Sequence, residues 1–121
     1  MLFSKTIVLT AAAAFSSLVQ GATTITVAVG KVGYKFDPAE FIANVGNFVK
    51  FEFYPGSHAV ARSTFDKPCE ALKEGFYTGQ FLGADPPKDS LTIEVKETGP
   101  IWFFCVTSGH YQGGMSGVIN R

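Results

Sequence analysis

Residues 48–54 alternate apolar and polar side chains, with Val49, Phe51 and Phe53 on one side and Lys50 and Glu52 on the other. A repeat of two suits an extended strand with one buried face; a helix would scatter those residues around its axis. Thr24–Val29 repeats the pattern with Ile25, Val27 and Val29, and residues 91–96 alternate as cleanly. Residues 101–104 are an unbroken apolar run, which predicts a strand buried on both faces. Shorter strands are predicted at 34–36, before Asp37-Pro38, at 41–43, before the turn 44–47, and at 117–119. Strands at intervals of roughly ten residues, with turn residues between them, predict a sandwich or barrel with Greek-key connections.

The expected fold class is therefore all-β, with a short helix or irregular segment around residues 63–90. Residues 68–74 are the candidate for that helix, because Pro68 suits a first turn and Gly75 suits a stop. The abundant phenylalanines read as sandwich core, and Trp102 is read the same way. No internal repeat, low-complexity tract or linker interrupts the chain.

The first residues read as a secretory signal peptide over 1–21. Lys5 supplies the basic start, residues 6–19 are apolar and alanine-rich, and Val19-Gln20-Gly21 offers small residues for cleavage before Ala22. The apolar run is shorter than the ~20 residues that span a bilayer. The expectation is an exported, extracellular protein with one domain at 22–121 and no membrane span in the mature chain. No hydrophobic tail follows Arg121, as a C-terminal lipid anchor would require. A mature chain of roughly 100 residues buries about 65% of its unfolded surface, enough for one core without disulfide staples. Losing Lys5 leaves nine of the ten basic residues against ten acidic ones, without long runs of either sign. Neither nucleic acid nor an anionic membrane is expected as partner, and the expected state is a monomer.

The candidate chemistry lies in residues 100–115. An apolar strand delivers Cys105, a glycine-containing loop follows, and His110 and Met115 return from it in a Cys-x4-His-x4-Met spacing. His58 follows a predicted strand end and can reach the same rim. Thiolate, imidazole and thioether are donors suited to copper, and two imidazoles, one thiolate and a weak axial thioether suit both of its oxidation states. Glycines at 109, 113 and 114 allow the loop tight turns. Each residue taken alone has a plainer role: a surface histidine, a core methionine, a buried thiol or half a disulfide. The conjunction outweighs them, because both histidines and the only methionine besides Met1 fall where such a site needs them.

These residues resemble the cupredoxin family of blue copper proteins. The loop spacing is similar to its phytocyanin-like branch. The segments Phe36-Asp37-Pro38, Ser57-His58-Ala59-Val60, Phe65-Asp66-Lys67-Pro68-Cys69 and Gly75-Phe76 resemble small secreted fungal cupredoxin-like proteins, as does the ending from Gly114 to Asn120. The resemblance covers nearly all of residues 22–121. It implies a cupredoxin-like Greek-key sandwich of eight or nearly eight strands and copper ligation by His58, Cys105, His110 and Met115. One departure stands out. In that branch a cysteine follows the second ligand histidine and is bonded to the cysteine at the position of Cys69; here Tyr111 stands there. Three states of Cys69 are open: a free thiol, a cross-link to another chain, or a disulfide with Cys105 that would abolish the copper thiolate.

The expected function is one-electron transfer through a type 1 copper site, without enzymatic activity and with an unidentified redox partner. The alternatives are extracellular copper capture and delivery to an acceptor, or a metal-free interaction module on the same scaffold. Zinc is a poorer fit, since a thioether is a poor zinc ligand. Thiol hydrolysis by Cys105 and His110 leaves Met115 and His58 without a role and lacks an orienting acid.

Overall fold

The computed structural model describes residues 21–121. The expected signal sequence at residues 1–21 lies outside the described residues, apart from Gly21. Ten strands follow in order: β1 Thr24–Val29, β2 Phe36–Asp37, β3 Glu40–Phe41, β4 Phe48–Phe53, β5 Gly56–His58, β6 Val60–Ser63, β7 Phe81–Gly83, β8 Ser90–Glu94, β9 Ile101–Cys105 and β10 Ser116–Ile119. One four-stranded sheet has the order β2-β1-β4-β8 and a second the order β3-β10-β9-β6, while β5 and β7 form a separate two-stranded ribbon. Both large sheets are mixed: β1 runs parallel to β4 and β10 parallel to β3, the other pairings being antiparallel. The architecture is the expected all-β Greek-key sandwich.

Alternation explains how the sheets meet. Val27 and Val29 from β1 and Val49, Phe51 and Phe53 from β4 are all fully buried. They pack in one core with Ile101, Phe103 and Cys105 of β9 and Ile119 of β10. Phe103 bridges the layers, its ring edge-on to Phe36 at 4.9 Å and to Phe51 at 5.5 Å. Burying each such ring contributes roughly 1.5–3 kcal/mol. Gly117 makes room for that ring, since a Cβ there would lie 2.4 Å from Phe103 Cζ.

Two expectations change. Residues 68–74 form turns and no helix. Their backbone groups, and those just after, serve the exposed edge of β6: Leu72 N–H donates to Arg62 O at 2.7 Å, Arg62 N–H to Phe76 O at 3.0 Å, and Thr78 N–H to Val60 O at 2.9 Å. Covering a sheet edge outweighs local helix propensity here. Trp102 is not core filler. It is half-buried on the face of β9 opposite Phe103, where Phe65 packs against it at 5.2 Å. Phe104, also on that face, is buried with Tyr111 edge-on at 5.9 Å.

Candidate metal centre

The strand ends decide which side chains meet. Val60 of β6 pairs with Cys105, the last residue of β9, so the thiol lies at the end of a fully paired strand. Val106 N–H then donates to Ala59 O at 2.9 Å, tying the start of the ligand loop to the residue after His58. The loop returns through turns over residues 108–114. Met115 N–H donates to His110 O at 3.1 Å, and Cys105 N–H to Met115 O at 3.0 Å. The last bond sets Met115 beside Cys105, and both are completely buried.

His58 does not sit in a loop after a strand end, as its sequence suggested. It is the last residue of β5, held opposite Phe81 of β7. His58 is 2% exposed, and His110 is 8% exposed. Cys105 Sγ lies 3.4 Å from His110 Nδ1. His58, Cys105 and His110 each offer one donor atom, and these atoms lie within 4.8 Å of one another. The imidazole rings are 5.1 Å apart, inclined at 52°.

The two nitrogens of His58 differ in surroundings. Nε2 is 3.3 Å from the carbonyl of Pro55. Nδ1 is buried and has no hydrogen-bond partner among the described residues. A buried polar atom left unpaired costs about 1–3 kcal/mol. Burial also pushes the His58 pKa below its ordinary 6.5, with partial opposition from the Pro55 hydrogen bond. A neutral imidazole with one nitrogen anchored and the other free is the state a metal ligand requires.

The donor set fits copper. An ion about 2.1 Å from three trigonal donors needs them roughly 3.6 Å apart. The sulfur–nitrogen separation of 3.4 Å is close to that value, and the 4.8 Å limit on the others leaves a small contraction on binding. The donors are soft to borderline throughout, a thiol and two imidazoles with a buried thioether adjacent in the loop. Among the described residues neither cysteine forms a disulfide, and Cys69 is exposed while Cys105 is buried. The Cys69–Cys105 pairing is therefore not formed, and the thiol of Cys105 is available.

Sequence reasoning missed three neighbours of the centre. Gly30 backs onto His58, where a Cβ would lie 2.3 Å from Nε2. Tyr34 stacks on His110 with ring centroids 4.0 Å apart and planes inclined at 23°. Gln80 Nε2 donates to Ser57 Oγ at 2.6 Å and to Thr107 Oγ1 at 3.0 Å, joining the strand of His58 to the ligand loop.

No family model matches the chain. It is 34% identical over 105 residues to an extracellular serine-rich protein of the fungus Arthroderma benhamiae, covering 85% of this chain and 41% of that protein. It is 29% identical over 107 residues to a probable GPI-anchored cupredoxin of the same organism, covering 88% of this chain and 55% of that one. The chain thus spans about half the length of the curated relatives it matches. Among solved structures, reduced auracyanin from Roseiflexus castenholzii superposes with a TM-score of 0.60 at 22% identity, covering 79% of this chain and 94% of that one. A purple cupredoxin from Nitrosopumilus maritimus gives 0.61 at 12% identity, with coverages of 78% and 96%. The fold is that of the cupredoxins, and the chain is related to fungal cupredoxin-like proteins.

Proposed function

We propose that this domain binds one copper ion through His58, Cys105, His110 and Met115 and works as a one-electron carrier outside the cell. The observation that carries this reading is the buried, unpaired Nδ1 of His58 in a cluster with Cys105 and His110. When bound, copper would supply the Cu(I)/Cu(II) couple. The protein's share is to hold the donors still. Cys105 is fixed by the β9 ladder, His58 by the β5–β7 ribbon and Met115 by its bonds to Cys105 and His110. Donors that are already fixed reorganise little when the charge at the centre changes, which favours electron transfer over bond-making chemistry. Three buried protein donors and a buried thioether also leave little room for a substrate.

An extracellular location is supported by the Arthroderma relatives, one named as extracellular and one as probably GPI-anchored, and by the apolar leader at 1–21. The loop spacing supports placement in the phytocyanin-like branch. Copper titration followed by native mass spectrometry tests the reading. One ion per chain is expected, lost in both His58→Ala and His110→Ala; no bound ion, or retention in both variants, overturns it.

A further inference from the structure

The loop at residues 30–35, between β1 and β2, touches both imidazoles of the centre. Gly30 lies against His58, and Tyr34 stacks on His110. The loop is pinned by its own backbone: Gly30 N–H donates to Lys35 O at 3.0 Å, and Lys35 N–H to Gly33 O at 2.9 Å. Gly113 in the ligand loop also lies against this ring, since a Cβ there would lie 3.3 Å from Tyr34 Cδ2. Exposure is unevenly divided. Tyr34 is 52% exposed, whereas His110 beneath it is 8% exposed. His58 is covered differently, by the backbone of Gly30 and Gly56, whose Cβ positions would come within 2.3 and 3.0 Å of its Nε2. Removing one aromatic ring therefore opens His110 and leaves His58 enclosed.

We propose that Tyr34 is the cover of the metal centre, a positioning residue whose ring holds His110 in place and sets how fast solvent reagents and copper reach or leave it. The ring acts by its flat apolar face: stacking restricts rotation of the imidazole and excludes water from it. The phenolic hydroxyl has no part in this, so phenylalanine should substitute fully. The copper arm of the proposal rests on the function proposed above; the solvent arm does not.

The test uses both arms. Metal-free protein is treated with diethyl pyrocarbonate, which labels accessible imidazoles, and the chain has two histidines. In Tyr34→Ala one histidine should react about tenfold faster than in the unaltered protein, a change expected when a local cover is lost. The other should stay slow. Tyr34→Phe should match the unaltered protein, and so should Val32→Ala, which alters an exposed neighbour in the same loop. Copper-loaded protein is then challenged with a soluble chelator, and release should quicken in Tyr34→Ala alone. Equal labelling of Tyr34→Ala and the unaltered protein overturns the proposal, as does equal acceleration in Val32→Ala or Tyr34→Phe. If labelling quickens as expected but no form holds copper, the copper reading fails and the cover stands. If copper is held and leaves Tyr34→Ala at the unaltered rate, the cover fails and the copper reading stands.

Discussion

Gly30 and His58 are packed so closely that no side chain fits between them: a Cβ on Gly30 would lie 2.3 Å from Nε2 and 2.6 Å from Cε1 of the ring. Gly30 also has a φ of 73°, where other residues are strained. The imidazole is thus held between bare backbone at Gly30 and Gly56 and the Pro55 carbonyl. With Nε2 anchored there, Nδ1 is the nitrogen left for an ion. The proposed electron transfer needs this rigidity, and it comes from a residue that offers the ion no side-chain donor.

Gly30→Ala should displace His58, and Gly46→Ala provides the control. Gly46 has a φ of 96° but nothing within 4 Å of its Cβ position, so its substitution carries backbone strain alone, about 1–2 kcal/mol. Urea denaturation should show Gly30→Ala to be less stable than Gly46→Ala by at least about 1 kcal/mol, the added cost of overpacking. Equal losses would mean that the ring moves aside freely.

Gln80 joins the two ligand-bearing segments through Ser57 and Thr107. These hydrogen bonds are exposed, so Gln80→Ala should lower stability by only about 0.5–1 kcal/mol. Hydrogen exchange at residues 57–58 and 106–108 should nevertheless quicken together. Faster exchange in one segment only would show that the clasp does not couple them.

His58 gives the metal-free protein a defined pH dependence. Its folded pKa lies below 6.5, so the unfolded chain binds the proton more readily. Stability is full well above pH 6.5, begins to fall as the pH approaches that value, and goes on falling toward the lowered one. Glu97, held below its ordinary 4.5 by the Arg62 hydrogen bond, contributes only in a more acidic window. The urea midpoint should therefore decline between about pH 7.5 and pH 5.5, and His58→Leu should flatten the decline. An unchanged slope in that variant would assign the effect to another group.

Much of the sandwich was legible because one-sided burial writes itself as a period of two. β1 and β4 carry it across six residues each, and β8 and β9 have bounds close to those expected. β5 and β7 were not legible, since Gly-Ser-His and Phe-Leu-Gly are too short to show a period. Of the two forms expected around residues 63–90, the irregular one holds and the helix at 68–74 does not, for a nonlocal reason: β6 needed its edge covered, and no local pattern records that. The donors were legible as rare residue types at telling spacings. Tyr34 and Gly30 were not, because the contacts that matter join β1–β2 loop residues to partners far along the chain. Gln80 reaches Thr107 across 27 residues, beyond any local spacing rule.

The most direct test is the absorption and paramagnetic-resonance spectrum of the Cu(II)-loaded protein beside that of Cys105→Ser. The expected result is an intense visible thiolate-to-copper band with narrow copper hyperfine splitting, both abolished by the substitution. Cu(II) bound without that band, or a spectrum unchanged in Cys105→Ser, would contradict a copper centre built on Cys105.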